Sequence, residues 1–308
     1  MIQLAALAAL FALAALFGGV ANALAQAAFV ATFALAGLGL VLIVGQSGQL
    51  SLGHGATMAL GAYAQGVLVA AGIHGALALP VAALAGTLAG IVASIPGRRL
   101  GGLFFAMSTL ALALVVEEGL LRLVPLTGGA AGLVVPPLAV VDWRLHSPAA
   151  QAAVSLGLLG GAVWMARRLR DSRLGRAWRA GRDDESAAAA VGIDLGHVRM
   201  LAFACGGALG GLAGGLYAHW LGFLSPEQFG LPLSFELLML VFIGGVRSLS
   251  GALWGAVVIV SLPQAIAAIR QAVPWLEFGA AGLELTIFGL IVVALVMWRP
   301  AGLWQAAR

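Results

Sequence analysis

The sequence predicts an all-α polytopic membrane protein. It reads as a single domain over 1–308, with about ten transmembrane helices arranged as inverted five-helix repeats. Three observations carry this. Of 308 residues, 62% are hydrophobic. At ~20 apolar residues per crossing of a ~30 Å hydrocarbon core, that supplies roughly nine or ten crossings. Only 28 residues are charged, 16 basic and 12 acidic, or 9% of the chain, where soluble domains carry ~25%. So few charges cannot dress the surface of a soluble domain, and so apolar a chain is not disordered. The third observation is the one-sided placement of the arginines.

Apolar runs at 2–17, 20–44, 50–71, 75–95, 101–121, 148–166, 198–221, 232–246, 251–269 and 282–298 are the expected helices in order. The first run lacks a positive flank and a small-residue cleavage site, so it reads as a helix rather than a cleaved signal peptide. The run 232–246 is short for a full crossing and reads as a half-helix or a tilted one. All 16 basic residues are Arg. With 167–199 in the cytoplasm and sides alternating, thirteen of them fall inside and only Arg122, Arg144 and Arg270 outside. This is the positive-inside pattern. Both termini then lie in the cytoplasm. Halves of five crossings must be inverted relative to one another, as in many transporters. Their trace is slight: Leu60-Gly61-Ala62-Tyr63-Ala64 against Gly215-Leu216-Tyr217-Ala218. Gly is 44 of 308 residues, about twice the usual share. Small residues let membrane helices approach closely, and Gly also permits breaks. The lone Cys205 reads as a small buried residue, not a thiol or metal site. A net charge of +4 implies no nucleic-acid partner.

Two stretches stand out as carriers of chemistry. The first is 45–55, Gly45-Gln46-Ser47-Gly48-Gln49-Leu50-Ser51-Leu52-Gly53-His54-Gly55. Non-helical backbone at membrane depth survives only where protein or a water-filled cavity satisfies it. Such a break could line a polar path; it could equally be a cytoplasmic turn. The second is the cytoplasmic stretch 167–197. Arg167, Arg170, Arg173, Arg176, Arg179 and Arg182 recur at every third position, as in voltage sensors. A spacing of three drifts ~60° per step around an α-helix, and polar residues lie between the arginines. A solvated loop touching anionic lipid headgroups fits better. Its second half, from Asp183-Asp184-Glu185 through the Ala run to Gly192, reads as a short helix with acids at its start and Gly at its stop. Two turns are too short to be stable alone. The helix could dock its methyl groups on a partner or simply lie on the surface.

Ionisable residues within spans are few: Glu117, Glu118, His219, Glu236 and Glu284. Glu117 and Glu118 are expected toward an outer end, and Glu236 and Glu284 near the outer starts of their runs. None is expected at midplane, which argues against ion coupling. No Ser–His, paired-Asp or metal-spaced set occurs at crossing depth, so no enzyme is expected. No Gly-rich loop followed by Lys is present, so the chain is not expected to hydrolyse ATP.

Four blocks in order resemble a known family. The first is Gly48-Gln49-Leu50-Ser51-Leu52-Gly53-His54 with Gly61-Ala62-Tyr63. The second is Phe105-Ala106-Met107-Ser108-Thr109-Leu110-Ala111, then Leu126-Thr127-Gly128-Gly129 and Gly132-Leu133. The third is Gly175-Arg176-Ala177-Trp178-Arg179-Ala180, then Arg182-Asp183-Asp184-Glu185, Ala187-Ala188 and Gly192-Ile193. The fourth is Ser225-Pro226, Ser234, Gly244-Gly245, Ser248-Leu249, Gly251-Ala252 and Gly255-Ala256. From about residue 30 to 264, the chain resembles the permease subunits of branched-chain amino acid ABC importers, especially the M-type subunit of the high-affinity leucine/isoleucine/valine system. Two departures are Asp184, where the family often has Asn, and Arg199, where it often has Lys.

The resemblance implies a multi-pass bacterial inner-membrane permease importing branched-chain or similar amino acids by alternating access. It implies a second homologous permease, cytoplasmic ATPase subunits that hydrolyse the ATP, and a periplasmic substrate-binding protein as partners. This chain itself would bind no cofactor. Arg176, Arg179, Arg182, Asp184, Glu185, Ala187, Ala188 and Gly192 would form the ATPase-coupling loop. Gly48, Gln49, Ser51, Gly53, His54, Thr109, Thr127 and Gly128 would line the translocation path. The alternative is an ion-coupled secondary transporter or channel working without an ATPase.

Overall fold

A computed structural model describes residues 2–140, 143–144 and 147–272, together with scattered positions from 286 to 302. The predicted run 282–298 therefore lies largely outside the described residues, as do Glu284 and Arg299. Helix α1 spans Ile2–Leu40 and widens into a π turn over Val41–Gln46. Gly19 breaks it with φ 78°, ψ 158°, between the two predicted runs 2–17 and 20–44. Then come α2 (His54–Ala70), α3 (Gly75–Ser94), α4 (Gly102–Arg122) and the single turn α5 (Val124–Thr127). The outer connection holds β1 (Leu133–Val134), β2 (Ala139–Val140) and β3 (Trp143–Arg144). It is followed by α6 (Pro148–Asp171), α7 (Arg173–Asp183), α8 (Glu185–Ala190) and α9 (Leu195–Leu221). The last described elements are β4 (Phe223–Leu224), α10 (Leu231–Gly244) and α11 (Leu249–Ala272).

Among the described residues, six segments are long and apolar enough to cross a membrane: Gly19–Gln46, Gly75–Gly97, Gly102–Arg122, Pro148–Asp171, Leu195–Leu221 and Pro226–Gly244. The all-α expectation holds. Exposed Leu77, Val81, Leu84, Leu88 and Val92 form one face of α3, and Leu103, Phe104, Met107, Leu114 and Val115 stand out on α4. Contiguous apolar faces of this kind belong against hydrocarbon or another protein.

Helix α9 is the axis of the bundle, and glycine makes it so. One row, Gly207, Gly211 and Gly215, packs on α3; a methyl group at Gly211 would overlap the Ala82 carbonyl, and one at Gly207 the Gly86 carbonyl. The neighbouring row, Gly206, Gly210 and Gly214, packs on α1 and α2, where Gly214 meets the Met58 carbonyl. In lipid, apolar side chains gain little by leaving their surroundings, so close backbone packing carries the association. The pairing fixes directions. Thr57, Met58 and Gln65 meet Gly210, Gly214 and Gly215 in turn, so α2 runs parallel to α9. Phe29 and Phe33 meet Tyr217 while Gly39 meets Gly206, so α1 runs antiparallel to it. Gly37 and Gly45 meet Leu240 and Val246, which sets α10 parallel to α1 and opposite to α2.

The stretch 167–197 differs from the expected solvated loop. Helix α6 continues through its arginines to Asp171, and 173–183 is helical as well. The reason is Trp178, 1% exposed, whose indole N–H donates to the Val198 carbonyl at 2.7 Å and seats α7 against α9.

The glycine rows generate a prediction. Replacing Gly211 with Val forces backbone apart and should lower stability by about 1–3 kcal/mol. Gly161→Ala, within α6 at a position with open space around it, should not lower stability and should raise it by up to about 1 kcal/mol. Thermal unfolding of the two purified variants in detergent distinguishes them.

Candidate functional site

The segment 47–53 interrupts the run from α1 to α2, and the structure places it deep. Gly55, at the start of α2, donates its N–H to the Ser234 hydroxyl at 3.1 Å, near the start of α10. From that point α2 runs about 22 Å to its C-terminal end, and α10 about 15 Å to its own. Two short helices thus start at a common level and leave toward opposite faces. The connection before α10 dives inward to reach that level. Leu224 packs beside Gly66, and the Phe229 carbonyl lies beside Gly55, a descent of about 16 Å along α2. This corrects one expectation. Glu236 is not near an outer surface; it follows directly after the meeting point, because 222–230 re-enters the bundle instead of staying outside.

Broken backbone at this depth needs partners, and neighbouring elements supply them. The Thr109 hydroxyl of α4 accepts from the Leu52 N–H at 3.0 Å and donates to the Ala106 carbonyl at 2.8 Å. Gly53 lies so close to the Thr109 carbonyl that no side chain fits between them. His54, 1% exposed, donates from Nε2 to the Ala36 carbonyl at 3.1 Å, so it ties α2 to α1. Gln49 and Ser51 are buried, and no hydrogen bond of their side chains falls among the described residues. Gly53 and Thr109 thus meet directly, with His54 next in the chain, whereas Gly48 lies against Arg182 and Gln49 and Ser51 are buried in the segment between.

Thr127 and Gly128 do not join this segment. They follow α4 at its C-terminal end, about 20 Å along the helix from Thr109. The Thr127 hydroxyl contacts the Leu120 and Leu123 carbonyls at 2.6 and 2.9 Å and accepts from the Gly129 N–H at 3.1 Å. Gly128 takes φ 74° in a turn whose closure leaves no room for a side chain. These two residues shape the outer connection.

The cytoplasmic group is a built unit. Asp184 caps α8 by accepting from the Ala187 N–H at 2.9 Å, the ordinary use of Asp at a helix start. Glu185 pairs with Arg199 at the start of α9. Arg176 and Arg179 donate to the Asp171 and Arg170 carbonyls at 3.1 and 2.8 Å, stitching α7 to the end of α6. Gly192 turns the chain out of α8 with φ 85°. Ala188 faces inward at 3% exposure, so α8 and the residue after it present Ala187, Ala190 and Val191 to solvent, with Val191 77% exposed. Arg182 reaches the π turn just before the interrupted segment, donating from Nη1 to the Gly45 carbonyl at 2.7 Å.

A further buried network was not singled out from the sequence. His219 donates from Nδ1 to the Pro136 carbonyl at 2.8 Å, which leaves Nε2 to accept from Gln65 at 2.8 Å. Gln65 also donates to the Gly75 carbonyl at 2.8 Å. The network joins α2, α3, α9 and the outer connection. Its signal was available: Gln65 and His219 are polar residues inside apolar runs. Among the described residues, no group of His, Cys, Asp or Glu is gathered to hold a metal ion.

Comparison with known proteins agrees with this architecture. Residues 22–297 match the family model described as the branched-chain amino acid transport system / permease component. The high-affinity branched-chain amino acid transport system permease protein LivM of Escherichia coli K12 is 29% identical over 301 residues, covering 90% of this chain and 68% of the relative. LivH of the same strain is 25% identical, covering 88% of this chain and 91% of the relative. The autoinducer 2 import system permease protein LsrC of Klebsiella pneumoniae is 29% identical across 48% of this chain and 42% of its own. No solved structure matches. With nine-tenths of its length matched by the family model, the chain belongs to the branched-chain amino acid transport system permease family.

Proposed function

We propose that this chain is the membrane subunit of an ATP-driven importer for branched-chain amino acids. It would work by alternating access, paired with a second permease, cytoplasmic ATPase subunits and an external binding protein. The observation that carries this reading is the construction of the segment from Arg173 to Gly192. One side of α8 offers small apolar groups to solvent, while α7 is fastened to α9 through Trp178 and to the π turn just before the interrupted segment through Arg182. A surface helix with no partner has no need of such an anchorage.

On this reading the path passes the level where α2 and α10 begin. Gln49 and Ser51 are polar there, and small residues leave room for aliphatic side chains. Opening and closing would act on the two interrupted segments, since non-helical backbone absorbs rotation more readily than an intact helix. The external network of Gln65, His219 and Pro136 would hold the outer face in register with α2 and α9. The relatives' substrates support the branched-chain assignment, and the weakly polar cluster suits it. We further propose ten crossings in two inverted five-helix halves, both termini in the cytoplasm of a bacterial inner membrane. The break at Gly19 and the helical positions between 286 and 298 support the outermost crossings.

Reconstitution tests the function. ATP-dependent uptake of labelled leucine is expected, with excess isoleucine or valine competing and urea or acetamide not competing. Leucine uptake by this chain alone under an ion gradient overturns the reading. The docking surface makes a second prediction. Val191→Glu places a charge on the exposed end of the α8 surface, and co-purifying ATPase should fall about tenfold, the loss expected when a small interface takes up a desolvated charge. Unchanged recovery excludes that surface. Topology is checked by cysteine labelling in a Cys205→Ala background. An impermeant maleimide added outside should label Val20→Cys and Val134→Cys, and label Ser186→Cys only after permeabilisation.

A further inference from the structure

We infer that Arg182 is the positioning residue that carries movement of the cytoplasmic docking segment into the interrupted segment 47–53. The inference rests on the ATP-driven reading proposed for the chain. Its physical basis begins at the end of α1. The π turn over Val41–Gln46 leaves the last carbonyls without intrahelical donors. Arg182 supplies one of the missing donors, from Nη1 to the Gly45 oxygen at 2.7 Å. It also brings positive charge to the negative end of the helix dipole. The side chain is only 16% exposed, so solvent competes poorly for this contact.

The guanidinium is held in two directions. Its Nε and Nη2 donate to Asp183 at 3.0 and 2.8 Å, while Nη1 points to Gly45. A planar fork can do both at once; a lysine ammonium on a flexible stem cannot hold the same geometry. The stem of Arg182 lies across Gly48, whose φ of 74° and lack of a side chain make room for it. Gly45 in turn lies flush against the Val246 carbonyl, and Gln46 donates to the Arg247 carbonyl at 3.4 Å. One side chain thus joins the end of α7, the end of α1, the start of the break and, through Gly45, the turn between α10 and α11.

The remaining polar ties of the docking segment lead to the end of α6 and to α9. Helix α9 is held by close backbone packing on both sides and offers little freedom. Among the described residues, the bond from Arg182 to Gly45 is the one hydrogen bond between 173–192 and 41–53. A displacement of α7 and α8 therefore reaches the break most directly through this side chain.

The test uses the whole transporter in proteoliposomes with its second permease, ATPase subunits and binding protein. ATP hydrolysed and labelled leucine accumulated are measured together. With Arg182→Ala, leucine accumulated per ATP hydrolysed should fall about tenfold or more. Arg182→Lys should recover part of the loss. Gly48→Ala displaces the stem and keeps the charge, and should reduce leucine per ATP in the same way. Leucine per ATP within about twofold of normal in Arg182→Ala overturns the inference. Should that variant fail to assemble, normal coupling in Gly48→Ala overturns it instead. Leucine uptake by the unaltered transporter without any hydrolysis overturns the ATP-driven reading, a result separate from either.

Discussion

Backbone contact along α9 is the constraint on which the rest of the molecule depends. Two adjacent rows of glycine let α3 approach on one side and α1 with α2 on the other, close enough for carbonyls to meet α-carbons. Such contacts are the main source of helix association in lipid. They leave no latitude in how α2 stands against α9. Because α2 is held in that register, its first turn lies inside the bundle, and the chain leading into it cannot stay helical. The interruption is thus a consequence of packing and not an independent loop.

What keeps the interruption in place is a set of side chains lent by other elements. Thr109 from α4, Ser234 from α10 and Arg182 from the cytoplasmic segment each meet backbone groups that the broken helix leaves open. Each unsatisfied group at such depth would cost several kcal/mol, on the order of a lost crossing residue or more. The segment is therefore pinned from three directions. The outer face carries a comparable tie through Gln65, His219 and Pro136. A rigid centre with polar fastenings at both ends suits a protein that must pass movement from one face toward the other.

Much of this was legible in the sequence. The two runs before residue 44 correspond to the halves of α1 on either side of Gly19, and the Gly-rich stretch 45–55 does interrupt the helices. Asp184 and Gly192 bound α8 as their chemistry predicts. Other features were not legible. Arg173–Asp183 has arginine at every third position and reads as solvated; burial of Trp178 beneath α9 makes it a helix. Thr127 and Gly128 resemble a path signature, yet they lie in a buried turn after α4, away from Thr109. Ala188 belongs to a methyl-rich run, yet its methyl turns inward.

The sequence by itself determined the solvent of this protein and the order of its segments. Those properties follow from composition and charge summed along the chain, which a bilayer reads one segment at a time. Only the tertiary structure decided depth and partnership. Glu236 sits just beyond the meeting of α2 and α10 because the chain before it turns back into the bundle. Arg182 reaches Gly45, 137 positions away, because α9 brings their elements together. Depth and contact depend on the path of the chain through space, and a linear pattern of apolar runs does not contain that path.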